Sequence, residues 1–104
     1  MPLYLLNKSD RKGKRFALKT PEGKTLHFGS DVGRTFIDHG DMRKKLAWIA
    51  RHKNDKGFND PNAGIYYSRH LLWGEHDNIF ANIKSLNKRD NVDIKVIEKI
   101  KINK

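Results

Sequence analysis

The chain contains no cysteine, which removes disulfides and thiolate metal sites and leaves packing as the source of stability. A reducing compartment is compatible with that composition. No stretch approaches the roughly 18 apolar residues that a membrane-spanning helix requires, and the apolar part of the opening MPLYLLNKSD is too short for a secretory signal. A soluble, intracellular protein is the expectation. Also missing are a glycine-rich phosphate loop, a defensible Ser/His/Asp order for nucleophilic hydrolysis, and a His-x-x-x-His pair. No repeat, low-complexity tract or linker interrupts the 104 residues, so a single domain with one modest core is expected over 1–104.

Acidic residues are the scarce charge. Twelve Asp and Glu face 22 Lys and Arg, for a formal net charge of +10. That sign points to nucleic acid, an anionic membrane surface or an acidic protein as partner, and says nothing about fold. Residues 1–33 carry seven basic and three acidic side chains, 34–73 eight and four, and 74–104 seven and five. The excess is therefore spread through the chain rather than gathered in a tail. With 37% hydrophobic residues, five Phe, two Trp and three Tyr, the chain has more apolar material than a disordered basic protein needs, and a folded domain follows.

The clearest β signal runs over about 14–29. Phe16 and Leu18 alternate with charged or small neighbours, as do Leu26 and Phe28, across Thr20-Pro21-Glu22-Gly23-Lys24. Pro21 presets the φ of a type I turn and Gly23 can take the positive φ that closes a bulged loop, so the segment predicts a β-hairpin with those four apolar residues on one buried face. Leu3-Tyr4-Leu5-Leu6 can add a further strand.

From Asp41 the period changes. Met42, Leu46, Ile49 and Ala50 fall at i, i+4, i+7 and i+8, which predicts helix A over about 41–53 with that stripe toward the core. Asp38 and Asp41 suit its first turn, and Arg51, His52 and Lys53 its last. Asp60-Pro61 reads as a helix start and Gly74 as a stop, giving a central helix B over about 61–73. Asp77 is expected to cap helix C over about 77–88, with Ile79, Phe80, Ile83 and Leu86 as its apolar stripe. A strand over about 92–102 completes the reading. Together these elements predict an α+β fold: an N-terminal hairpin or small antiparallel sheet packed on about three helices, with a possible C-terminal strand.

The densest chemistry lies between Arg43 and Trp73, where seven Lys/Arg, two Trp and two Tyr share 31 residues. Lys44, Trp48, Arg51 and His52 form a second stripe on helix A, which with Lys45 and Lys53 makes a cationic face carrying an aromatic ring. Backbone-directed nucleic-acid binding needs that combination, because cations neutralise phosphates while an aromatic face can stack on a base. A Trp in a small domain packs beneath its neighbours at least as often. Lys12, Lys14 and Arg15 on the hairpin rim make a secondary patch. Tyr66, Arg69, His70 and Trp73 make another aromatic and basic stripe, but on so apolar a helix Arg69 is expected to hold a carboxylate such as Asp60 and lock the 54–60 loop. His39, Asp41, His52, Asn59 and Asp60 include the residue types of small metal-dependent nucleases, without a recognised ligand spacing. No catalytic residue, metal or cofactor is assigned.

In order and with similar gaps, HFG at 27–29, FIDHGDMRKKLAWIARHK at 36–53, FNDPNAG at 58–64 and YSRHLLW at 67–73 resemble a family of small basic proteins of unknown function from large double-stranded DNA viruses of eukaryotes. Two positions depart from that family's pattern: Phe58 stands where a Trp is expected and His70 where an aromatic follows the Ser-Arg pair. The resemblance implies a viral protein of one compact domain, found in the host-cell cytoplasm, the virus factory or the virion, and not secreted. Three functions compete. The first is non-enzymatic, sequence-nonspecific binding of DNA or RNA through the helix A face. The second is a virion structural, minor capsid or protein-interaction module, with Tyr66, Trp73 and the hairpin face buried against an acidic capsid or other virion protein. The third is a metal-dependent nuclease. The residues do not encode an oligomeric state.

Overall fold

A computed structural model describes residues 1–97. It shows the α+β architecture: a four-stranded mixed sheet with helices on one face. Strands β1 (Leu3–Lys8), β2 (Lys14–Lys19) and β3 (Thr25–Ser30) pair antiparallel in sequence order, and β4 (Asp93–Val96) adds parallel to the other side of β1, giving the order β3-β2-β1-β4. The hairpin register sets Phe16 opposite Phe28 and Leu18 opposite Leu26, and all four are buried. Gly23 N–H donates to Thr20 O, and Gly23 takes φ 87°, the left-handed value the bulged loop requires. Leu6 and Ile94 extend the same buried face across β1 and β4. The part of the expected C-terminal strand beyond residue 97 lies outside the described residues.

Between sheet and helix A stands an element that the periodicity did not announce. Residues Phe36–His39 form the short helix α1, too brief for a repeat to show. Its N-terminus is closed by Thr35 and Asp38: the Asp38 carboxylate accepts from Thr35 N–H (2.8 Å) and Thr35 Oγ1 (3.0 Å), a reciprocal cap. Asp38 therefore belongs to α1 and not to the helix that follows. Helix α2 (Met42–His52) matches helix A closely, with the Asp41 carboxylate accepting from Arg43 and Lys44 N–H.

Which face α2 buries is a correction. Met42 and Leu46, expected in the core, are 52% and 59% exposed, and Ala50 is exposed with them. The helix instead turns Lys45, Trp48, Ile49 and His52 inward. Trp48 decides this through its ring contacts across the fold: it stacks on Trp73 (5.2 Å between centroids, 11°) and meets Phe58 at 6.2 Å.

Helix B also begins later than expected. Asp60 and Pro61 open a turn: Asp60 Oδ1 accepts from Asn62 N–H, and the Tyr67 hydroxyl donates to Pro61 O (2.7 Å). Ala63 is extended, and α3 covers only Gly64–Tyr67 before passing into a π-helical turn at Ser68–Leu72, closed by Trp73 N–H donating to Ser68 O. The segment is central as expected, with Tyr66, Tyr67, Leu71, Leu72 and Trp73 all buried. Helix α4 (Ile79–Asp90) starts at an Asn78 cap rather than at Asp77. Ile79, Ile83 and Leu86 are buried, but Phe80 points outward and Asn82 occupies the buried face.

Candidate nucleic-acid interface

The expected contacts divide into two groups. Lys44 and Arg51 on α2, Lys53 just after it, and Lys12 and Lys14 on the β1–β2 loop and β2 are exposed. The others have internal partners. The Lys45 ammonium lies over the Phe36 ring (4.8 Å). His52 Nδ1 is 2.6 Å from Asp55 Oδ2, and its ring is 4.6 Å from that of Trp48. Trp48 is half-buried among Trp73, His52 and Phe58, so the indole is a wall of the core edge and not a free platform for a base.

Arg15 is likewise engaged. Its two terminal nitrogens hold the Asp38 carboxylate at 2.8 and 2.9 Å, a two-pronged pair that ties β2 to α1. Partial burial pushes the Asp38 carboxyl upward, but the Arg15 and Thr35 hydrogen bonds outweigh it and bring it down to about 2.

Arg69 does not reach Asp60. Its guanidinium stacks over Phe58 (4.6 Å) and touches Asn59 Oδ1 at 3.3 Å. The 54–60 loop is thus held by the buried Phe58, and by Asp55 on His52, rather than by an Arg69–Asp60 pair. Trp73, on the far side of Trp48, is 9% exposed. These placements change the protein-interaction reading too, since Tyr66 and Trp73 are core residues.

Arg34, which the sequence reading did not single out, joins the exposed cations just before α1. His39, read from the sequence only among the nuclease residue types, ends α1 and is half-buried. A cleft of about 440 Å³ between α1 and α2 is lined by Arg34, His39, Lys44, Ala47, Arg51 and Trp73, none of them acidic. Arg34 also lines a broader hollow of about 1010 Å³ beneath the hairpin rim, together with Lys8, Arg11, Lys12 and Lys14. Asp10, Asp31 and the engaged Asp38 line that hollow as well, so its charge is partly offset. Arg34 therefore lines both hollows and stands between the two predicted patches. No periodic stripe could have revealed it, because Arg34 sits in a loop.

The nuclease residue types scatter. Asp41 caps α2, His52 pairs with Asp55, Asn59 meets Arg69, and Asp60 closes its own turn. Among the described residues no group of three or more His, Asp or Glu stands where it could hold a metal ion. No helix among them is long and apolar enough to cross a membrane.

Among the described groups that depart strongly from their ordinary values, His70 is the one that titrates between neutral and mildly acid pH. Burial, with Arg69 and Arg89 acting in the same direction, pushes His70 down from 6.5 to about 4. Between those values the unfolded chain holds a proton that the folded chain refuses, so stability falls as pH falls from about 6.5 to about 4. The loss is on the order of 3 kcal/mol. His70→Gln should flatten that slope, read by urea unfolding at neutral pH and near pH 4.5; an unchanged slope would remove His70 as its source. The Asp38 shift has the same, downward sign but a lower window: its contribution is present above its unfolded value of 3.8 and is lost as pH falls toward about 2.

Residues 4–52 match a family of unknown function (DUF5754). That span runs from β1 to the end of α2 and so includes the hairpin rim, Arg34, His39 and the basic face of α2. No curated protein and no solved structure matches the chain.

Proposed function

We propose that this protein binds nucleic acid without sequence preference and without catalysing a reaction. Lys44 and Arg51 on α2 and Lys53 just after it serve as phosphate contacts, and Arg34 stands between them and Lys12 and Lys14. The observation that carries the reading is the α1–α2 cleft, where Arg34, Lys44 and Arg51 converge and no lining residue is acidic. Like charges gathered on a surface repel one another, and polyanionic ligands relieve that repulsion while releasing their own counterions. The sequestered Trp48 refines the reading: phosphate contacts, rather than base stacking, supply the affinity. The resemblance to small basic proteins of large DNA viruses supports a genome-associated role in the virus factory or virion.

Fluorescence anisotropy of a labelled duplex and a matched single strand tests this. Binding should tighten steeply as salt falls from about 200 to 50 mM, by orders of magnitude if several phosphates are contacted. The double substitution Lys44→Glu with Arg51→Glu should weaken it at least about tenfold, since each reversal replaces an attraction with a repulsion. Saturable binding that ignores both salt and these substitutions would sink the reading.

A second reading has its own support. Met42 and Leu46 stand exposed beside the α2 cations, as a protein-binding face would have them. An acidic virion or capsid protein seated there would hold through apolar contact and change little with salt.

A further inference from the structure

We infer that the α1–α2 cleft is a discrete pocket for one phosphate group, with His39 donating a hydrogen bond to it alongside Arg34, Lys44 and Arg51. The inference deepens the nucleic-acid reading by naming the anchor point, and it turns on a hydrogen-bond donor with no acceptor. His39 Nδ1 accepts from Asp41 N–H at 2.9 Å. A neutral imidazole that accepts at one nitrogen carries its proton on the other. That other atom, Nε2, is buried and has no hydrogen-bond partner. Buried donors left unpaired are rare and call for a reason.

The surroundings supply one. The imidazole is fixed between Phe36 (6.4 Å, 78°) and Trp73 (5.5 Å, 60°), and His39 and Trp73 are both among the residues that line the cationic cleft. An indole face is a weak acceptor at best, so a phosphate oxygen would gain over it. Arg34 is preset for the same ligand: Nη2 donates to Asp38 O at 2.9 Å, which holds the guanidinium while leaving its other N–H groups to an incoming anion. Lys44, Ala47 and Arg51 follow at i, i+3 and i+7 along α2, so the Cα atoms of the two cationic residues lie roughly 10 Å apart along the axis with the small Ala47 between them. Lys and Arg side chains are long enough to converge on a phosphate seated over Ala47 from both sides. The pocket's volume of about 440 Å³ holds a phosphate with its flanking sugars.

The chemistry recognised is a phosphate, whether inorganic or part of a polynucleotide backbone, and the test separates the two. Isotope-labelled protein would be titrated with inorganic phosphate up to about 50 mM at constant ionic strength, following the His39 Nε2–H and the Arg34 and Arg51 side-chain N–H signals. Saturable shifts confined to these groups are expected. Arg34→Gln, at an exposed site, should abolish them, His39→Phe should weaken binding about tenfold through loss of one donor, and Lys84→Gln with Lys88→Gln, at exposed positions of α4, should leave them in place. Shifts that never saturate, or that follow the Lys84/Lys88 pair equally, would mean an adventitious ion only and overturn the pocket. The labelled duplex is then titrated into the same variants. Duplex binding that is unaffected by Arg34→Gln and His39→Phe overturns the pocket and spares the wider reading. Saturable phosphate binding without any duplex binding keeps the pocket, assigns it to free phosphate, and removes the nucleic-acid function.

Discussion

Gly74→Ala should destabilise the protein by about 3 kcal/mol or more and lower its melting temperature by roughly 15 °C. Gly74 is buried where the π-helical turn meets α4. A methyl group built on its Cα would run into the backbone carbonyl of His70 and would lie 2.9 Å from Asn82 Cγ. The carbonyl cannot swing aside as a side-chain end would, so relief requires moving the turn or α4 as a body. For a domain of this size, whose whole stability is about 5–15 kcal/mol, that is a large share. Differential scanning calorimetry of the single substitution decides it. A melting temperature within a few degrees of the parent would show that the turn is far more pliable than its packing implies.

The second large effect belongs to Asn82, which is 1% exposed and whose side chain is fully used. Nδ2 donates to Leu71 O (3.0 Å) and His76 O (2.8 Å), and Oδ1 accepts from His76 N–H (2.8 Å). One amide thus stitches the end of the π turn and the following loop onto α4. Asn82→Ala should cost about 3 kcal/mol, because it strands the backbone groups that the amide had satisfied as well as opening a small void. Asn82→Leu discriminates between those causes. It refills the volume without pairing the carbonyls, so it should recover little; full recovery in chemical denaturation would assign the loss to packing alone.

The hairpin and the helices as a class were legible because each was written in a local code. Phe16, Leu18, Leu26 and Phe28 alternate, Pro21 and Gly23 mark the turn, and Asp41 announces α2. What escaped was the choice between faces. Helix α2 carries two usable stripes, and only the position of Trp73, twenty-five residues away, makes the Trp48 side the buried one. Arg69 was misassigned for a related reason: Asp60 and Phe58 stand at similar separations, nine and eleven residues back, and the stacking of a guanidinium on a ring leaves no signature in spacing. In the candidate interface, Lys44, Arg51 and Lys53 were readable from the helical repeat, whereas Arg34 and His39 were not. Their role rests on the loop that delivers Arg34 beside α2 and on an Asp41 amide that selects the His39 tautomer. Gly74, read as a helix stop, matters for close approach and not for a left-handed turn.

The strand order has a consequence for how the chain comes together. β1 is an inner strand, but its partners come from opposite directions in time: β2 follows almost at once, while β4 pairs Leu3 with Asp93. Hairpin closure is fast and local, whereas the parallel pairing must wait until the helices have bridged nearly the whole sequence. Until residues 93–96 arrive, one flank of β1 displays unpaired amides and carbonyls, the kind of edge that recruits other chains. During synthesis on the ribosome the β1–β2–β3 meander is therefore the first structure available and also the stickiest, and docking of β4 ends its exposure.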